Sequence, residues 1–303
     1  MGRYFPALLF TACTLIVFGP VGAVFGATAT AIVVAGGKPV LGLPFVAAAM
    51  VAGWLAADAW YGLLLALMVA APGGCIGWLV RRGNNFSIAT FGGALVLAPL
   101  NVAQLPLART AVMESRGLLV EAAAKDEAGE RIDVMIAGFD WILEHWNDLA
   151  YGAAFSSSLF VCCVTATLVG AWLRRTGQLP PSLGSFRDFR PPEWLVWPLI
   201  AVAIGWFAYY WRWQDEWLRA VSLNAALGLM NVYLLNGFAI AVYAAAVLRP
   251  HAVVIAMVAV GMVFLNMWPM LMGFGLFDTW IEFRKKLDAA AARAAGTSDD
   301  ARH

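Results

Sequence analysis

Amide side chains inside apolar stretches are the first residues of this sequence that could bind a ligand. Asn224 and Asn231 lie seven positions apart with Gly228 between them, so the three share one face of a helix, whereas Asn236 lies on another face. Such amides can line a ligand cavity, or they can donate hydrogen bonds between helices, which contribute about 0.6 kcal/mol each in lipid. The sequence leaves both interpretations open.

A second polar patch and one acid extend this set of candidates. Asn101 and Gln104 lie close together in the apolar stretch 86–108. Asp58 divides two other apolar stretches, and an ionisable group at membrane depth costs about 3 kcal/mol and usually marks function. The aromatic neighbours of Asp58 also fit a turn near the lipid headgroups. The candidate ligand-lining residues are Asn101, Gln104, Asn224, Asn231 and Asp58.

Small residues recur every four positions in the first apolar run. This ladder consists of Gly19, Ala23, Ala27, Ala31 and Ala35. Small side chains at positions i and i+4 let a second helix approach closely in a membrane. The ladder therefore predicts either packing within the chain or docking of another membrane subunit.

No arrangement of residues typical of catalysis or of a cofactor site is present in the sequence. His-Glu-x-x-His, Gly-x-Ser-x-Gly and the phosphate-binding P-loop are all missing from it. Glu144, His145 and Asp148 could be metal ligands, but such residues on a charged helix usually form its solvated face. We therefore expect neither an enzyme nor a bound metal or cofactor. The net charge of +1 favours no nucleic-acid partner.

The elements that position these residues are predicted to be helices that cross a membrane. The chain is 62% hydrophobic and 13% charged, whereas soluble domains are about half apolar and a quarter charged. A crossing needs about 20 apolar residues, and the sequence shows no strand-like alternation. The charge-free stretches are 4–37, 39–57, 59–80, 83–108, 149–173, 194–211, 220–248 and 250–277. Because the first can cross twice, we expect an all-α polytopic bundle of about 8–9 spans.

Residues 109–148 differ from the rest of the predicted membrane domain, 1–281. This segment holds nine acids and four bases, a net charge of −5. Apolar residues recur at helical spacing along it, at Ile132, Met135, Phe139, Ile142 and Trp146. We expect one extramembrane amphipathic helix that docks on protein. Residues 282–303 are predicted to be a polar, disordered tail.

Arg81-Arg82 and the basic loop 174–190 share one side of the predicted bundle, and the positive-inside rule makes this the cytoplasmic side if 4–37 crosses twice. If 4–37 crosses twice, the acidic segment 109–148 falls on the outer side. If 4–37 crosses once, the chain has eight spans and 109–148 lies in the cytoplasm. The number of crossings in this first run remains open at this stage.

Three motifs in the C-terminal half resemble a known family. They are the loop 186–194 (FRDFRPPEW), the run 233–237 (YLLNG) after Asn224, and the closing 275–285 (GLFDTWIEFRK). These motifs resemble the YybS-like family of uncharacterised bacterial multi-pass membrane proteins. More remotely, the chain is similar to the substrate-binding S components of energy-coupling-factor transporters and to the cell-shape protein MreD. S components dock a coupling subunit through an Ala-x-x-x-Ala strip, a role that the resemblance implies for the ladder.

Two functions follow as hypotheses. The first is a transport component of the bacterial inner membrane that binds a small molecule between its helices. The second is a non-catalytic scaffold or partner protein in envelope biogenesis, which would use 109–148 and the ladder. The lipid bilayer is a partner in both, and a membrane protein or a small molecule is the further partner.

Overall fold

The chain folds as a set of packed helices. A computed structural model describes residues 20–56, 59–124, 130–248 and 268–300, and every regular element in these ranges is helical. The helices are α1 Pro20–Ala35, α2 Leu43–Ala56, α3 Ala59–Arg81, α4 Phe86–Ala103, α5 Leu105–Ala124, α6 Glu130–Glu144, α7 Trp146–Arg175, α8 Val196–Ala208, α9 Glu216–Leu248, α10 Trp268–Ile281 and α11 Phe283–Asp300. The predicted all-α class is confirmed.

Five helices within the described ranges are long and apolar enough to cross a membrane. They are Ala59–Arg81, Phe86–Ala103, Trp146–Arg175, Glu193–Trp211 and Glu216–Leu248. Two shorter apolar helices, Val24–Ala35 and Pro39–Leu55, precede them. The predicted count of 8–9 spans is not confirmed. The stretches 4–37 and 250–277 lie partly outside the described residues.

Turn residues separate α3 from α4 where the sequence has a polar break. Gly83 adopts a φ of +79°, a left-handed conformation that glycine reaches without strain. Asn85 then caps α4, since its side-chain oxygen accepts a 2.9 Å hydrogen bond from the backbone N–H of Ile88. The break thus turns the chain back, and α4 packs beside α3.

Two alanines of the small-residue ladder pack inside the chain. Ala27 and Ala31 are 1% and 0% exposed. A Cβ on Gly73 or Gly77 of α3 would lie 2.5 Å from the carbonyl oxygen of Ala27 or Ala31, respectively, so the two backbones are in close contact. At these two alanines the structure shows packing within the chain, because α3 covers their face.

The remaining ladder positions extend this result only in part. Ala35 is partly buried and packs against the main core. Gly19 lies outside the described residues, and only the backbone of Ala23 is described. A docking role for the ladder is therefore not supported at any position whose side chain is described.

Helices α9 and α10 cross at a pair of glycines. A Cβ on Gly237 would collide with the carbonyl oxygen of Leu271, and one on Gly275 with that of Tyr233. Gly237, Gly275 and Tyr233 are all buried. Close backbone approach of this kind is typical of helix pairs in membranes. It fixes the position of α10 along α9.

The acidic segment forms two helices instead of the single helix expected. Helices α5 and α6 pack against each other, and Arg116 forms an ion pair with Asp140 across them. The stripe residues Met135 and Ile142 stay exposed, so the stripe is not fully covered by protein. The expectation overlooked that residues 105–124 are themselves helical and offer the first docking surface to α6.

The region predicted to be a disordered tail is helical over Phe283–Asp300. Its run of alanines has the highest intrinsic helix propensity. Tyr243 of α9 donates a 2.6 Å hydrogen bond from its hydroxyl to Asp288, which ties α11 to the end of α9.

Candidate functional site

Asn101 joins α4 to α7. Its Nδ2 donates hydrogen bonds to the hydroxyl oxygens of Ser158 at 2.8 Å and Ser157 at 3.1 Å. Both serines lie in the middle of α7, and Ser158 is fully buried. For this residue the geometry corresponds to the interhelical hydrogen bond, one of the two alternatives that the sequence left open.

Gln104 and Asn231 lie elsewhere. Gln104 follows the end of α4, and its Nε2 donates to the sulfur of Met68 on α3. Asn231 donates to the carbonyl oxygen of Leu227 on its own helix at 2.8 Å, and it lines a separate apolar cavity of about 180 Å³ beside α10. The four candidate amides are therefore not brought together. Asp58 lies outside the described residues.

Asn224 ties α9 to the start of α7. Its Oδ1 accepts a 2.7 Å hydrogen bond from the backbone N–H of Gly152. Its Nδ2 donates to the carbonyl oxygens of Asn147 and Ala220, both at 2.8 Å. A Cβ on Gly152 would lie 2.5 Å from the Asn224 carbonyl oxygen, so the two backbones touch here. Backbone groups thus occupy both Nδ2 hydrogens and Oδ1 of Asn224.

An apolar groove of about 840 Å³ opens beside Asn224, between α7, α8 and α9. We call it the lateral groove, and it is lined by Asn147, Tyr151, Gly152, Phe155, Pro198, Trp217, Ala220, Val221, Asn224, Ala225, Gly228 and Leu229. Ligand pockets commonly measure about 300–1,000 Å³. Along α9 the lining runs from Trp217 to Leu229, about 18 Å of helix.

Aromatic and charged side chains mark one end of the lateral groove. Trp217 and Tyr151 are exposed there, as expected of side chains at a membrane–water interface. Beside them the guanidinium of Arg219 lies 3.1 Å from Asp148 Oδ2. Asp148 is in the first turn of α7, where a carboxylate is stabilised by the helix dipole. This end of the groove is polar at its edge, and the rest is apolar.

A buried arginine lies near the other end of α9. Arg284 is 3% exposed and donates to Asp278 Oδ2 and to the Phe189 carbonyl oxygen, both at 2.9 Å. It also donates to Asn236 Oδ1 at 3.2 Å. The second oxygen of Asp278 accepts from the backbone N–H of Phe283 at 2.9 Å. This buried ion pair joins α9, α10, α11 and the loop that precedes α8.

The neighbours of Arg284 shift its pKa in opposite directions. Burial lowers the pKa of Arg284 below the ordinary arginine value, whereas the Asp278 carboxylate raises it and the nearby Arg190 guanidinium lowers it. An arginine stays protonated under such conditions. Arg284 is therefore charged, and Asp278 is the carboxylate that pairs with it at 2.9 Å.

Sequence reasoning missed Asp278 and Arg284 as site residues. Three motifs quoted above for the resemblance, 186–194, 233–237 and 275–285, meet at this ion pair through Phe189, Asn236 and the pair itself. The available signal was an acid at the end of a charge-free stretch, followed six residues later by a base.

Comparison with known proteins identifies a family. The chain matches the model of the family described as "Predicted membrane protein (DUF2232)" over residues 119–279, just over half of its 303 residues. The matched stretch includes the α7 and α9 parts of the lateral groove, and Asp278. Comparison with curated proteins and with solved structures gave no match.

Proposed function

Because the chain belongs to DUF2232, a family of predicted membrane proteins, we propose that its lateral groove faces lipid and binds an acyl-chain amphiphile. The observation that carries the proposal is the size and lining of the groove, about 840 Å³ with almost entirely apolar walls between three candidate spans. Its length of about 18 Å along α9 covers over half of the roughly 30 Å hydrocarbon thickness.

The lining favours an acyl chain over a polar metabolite. The side chain of Asn224 already bonds to three backbone groups, so it offers little to a polar ligand. A polar molecule in this groove would lose its hydration without gaining hydrogen bonds, which costs about 1–3 kcal/mol per group. An acyl chain has no polar groups and therefore does not incur this cost. The surrounding lipid tails are as apolar as the groove, so apolarity alone does not favour binding. The packing of the acyl chain against Phe155, Ala225 and Gly228 decides it.

The headgroup of such an amphiphile would lie at the aromatic end of the groove. Trp217 and Tyr151 have the amphipathic rings that residues at headgroup level typically carry. Asn147 adds an exposed amide at the same end. The amphiphile would therefore enter with its tail along α9 and its head beside the start of α7.

The proposed role is binding and not catalysis. Among the described residues that line the lateral groove, none is a carboxylate, histidine or cysteine. We further propose that the whole chain crosses a bacterial inner membrane eight or nine times and acts as the binding component of a transport process. The charge-free stretches 4–37 and 250–277 support the additional spans.

Filling the groove tests this function. We expect Ala225→Trp to lower lipid retention about tenfold, because the indole would occupy the space of the acyl chain. Native mass spectrometry of the purified full-length protein measures the lipid-bound fraction. Ala246→Trp is the matched control, since Ala246 is exposed on the same helix and does not line the groove.

Two results would contradict the proposal. The first is equal lipid retention by the wild type and Ala225→Trp. The second is a wild-type protein that carries no lipid but co-purifies with envelope proteins, which would favour the scaffold function instead.

A further inference from the structure

A polar cavity of about 280 Å³ lies beside the buried ion pair. We call it the head cavity, and it is lined by Arg190, Pro191, Pro192, Glu193, Asn236, Asp278, Thr279 and Glu282. Its walls therefore present a guanidinium from Arg190 and three carboxylates. The lining of the head cavity thus carries charges of both signs, whereas the lining of the lateral groove is apolar.

An apolar groove adjoins the head cavity at Arg190. This α4 groove has a volume of about 420 Å³ and is lined by Leu79, Asn85, Ser87, Ile88, Phe91, Gly92, Leu95, Arg190 and Pro192. The backbone N–H of Arg190 donates to Ser87 Oγ at 2.8 Å, which holds the loop on the first turn of α4. Arg190 and Pro192 line both spaces, so the head cavity and the α4 groove are adjacent at these residues.

The head cavity lies at the level of the second membrane surface. Asn236 follows Trp217 by 19 residues on α9, which is about 28 Å of helix and close to the thickness of the hydrocarbon layer. The aromatic end of the lateral groove and the head cavity are therefore on opposite surfaces. The cavity is next to the basic loop 174–190, which the positive-inside rule assigns to the cytoplasm if 4–37 crosses twice.

We propose that the head cavity and the α4 groove together bind a phospholipid whose headgroup carries both a phosphate and a primary ammonium. The guanidinium of Arg190 has the planar donor geometry that matches a phosphate. Glu193, Asp278 and Glu282 accept the three N–H donors of the ammonium. One acyl chain lies in the α4 groove against Ile88, Phe91 and Leu95. This site is independent of the proposed lateral-groove function.

The carboxylates of the head cavity have free hydrogen-bond acceptor sites for the ammonium group. Each oxygen of Asp278 accepts one hydrogen bond, from Arg284 or from Phe283, and a carboxylate offers about four acceptor sites. Lys285 donates to Glu282 at 2.7 Å, which lowers the pKa of Glu282 and keeps it ionised at neutral pH. Glu282 has a φ of +51° between α10 and α11, so the chain turns sharply at the cavity.

The balance of charge selects among headgroups. Arg284 and Lys285 already pair with Asp278 and Glu282, so a headgroup with a phosphate and no cation would pair with Arg190 and leave Glu193 without a cation. A quaternary ammonium carries no N–H and cannot donate to the carboxylates. We therefore expect phosphatidylethanolamine to bind more tightly than phosphatidylcholine or phosphatidylglycerol.

Native mass spectrometry of the full-length protein with an equimolar mixture of these three lipids, matched in acyl chains, tests the site. We expect the wild type to retain phosphatidylethanolamine about tenfold over the other two, as loss of charge-assisted hydrogen bonds implies. Arg190→Gln should abolish the preference, and Glu193→Gln should weaken it. Arg187→Gln is the control, because Arg187 is exposed on the same loop and does not line the head cavity.

Soluble phosphoethanolamine distinguishes a lipid from a free headgroup. At the same concentration it should fail to displace phosphatidylethanolamine, because it lacks the chain that fills the α4 groove. Equal retention of the three lipids, a preference that survives Arg190→Gln, or displacement by soluble phosphoethanolamine would overturn the proposal. Arg190 and Glu193 are exposed, so their variants are expected to fold. If Ala225→Trp loses lipid while this preference remains, the two sites are separate.

Discussion

Arg284→Met is expected to lower the free energy of unfolding by about 3–5 kcal/mol, because it leaves a buried carboxylate without its cation. Arg284 and Asp278 are both almost fully buried. The substitution also removes the hydrogen bonds to Phe189 and Asn236. Thermal unfolding in detergent, followed by circular dichroism, should show a fall in Tm of about 10 °C.

The partner of Arg284 provides the test of this explanation. Asp278→Asn in the Arg284→Met background should recover part of the loss, since the amide carries no charge and can still accept from the Phe283 N–H. Lys285→Met should leave Tm unchanged, because Lys285 is exposed. If Arg284→Met and Lys285→Met had the same Tm, the buried ion pair would not be important for stability.

Gly275→Ala is expected to destabilise the protein by more than about 4 kcal/mol, at the upper end of single substitutions. Its Cβ would collide with the carbonyl oxygen of Tyr233, a backbone atom that cannot rotate away. Helix α10 would have to move off α9 and would break the Asn236 Nδ2 hydrogen bond to the Gly275 carbonyl oxygen, now 2.7 Å long. Thermal unfolding and the yield of folded protein measure the effect.

Gly273 is the matched control for Gly275. It lies on the same helix, but a Cβ on Gly273 would point into open space. Apart from its chain neighbours and the nearby backbone of its own helix, no heavy atom lies within 4 Å of that position. Gly273→Ala should therefore raise stability by about 0.5–1 kcal/mol, the usual gain when alanine replaces a helical glycine. An equal loss of stability in both variants would show that the contact between α9 and α10 is looser than described.

The fold class could be predicted from composition because the physical constraint is strong. Long charge-free stretches rich in Ala, Leu and Val must satisfy their backbone groups internally, and helices do this. The break between α3 and α4 coincides with Arg81 and Arg82, which separate the charge-free stretches 59–80 and 83–108. Helix α11 could not be predicted with the same certainty as the spans, because charged and small residues are also typical of disordered segments, although alanine favours a helix.

The candidate sites were harder to predict because they depend on contacts distant in sequence. Arg284 bonds to the carbonyl oxygen of Phe189, 95 residues away, and to Asn236, 48 residues away. No local pattern encodes such pairs. For Asn224, whether the amide faces a ligand or a helix depends on Gly152, 72 residues away.

Photo-crosslinking of a phosphatidylcholine with a diazirine in its acyl chain tests the lateral groove most directly, because the head cavity is expected to disfavour this lipid. The full-length protein is placed in vesicles that contain this lipid and irradiated, and adducts are mapped by peptide mass spectrometry. The acyl-chain assignment predicts adducts concentrated in residues 147–155 of α7 and 217–229 of α9, and about tenfold fewer in Ala225→Trp. Adducts spread evenly over the five candidate spans, or unchanged in Ala225→Trp, would contradict it.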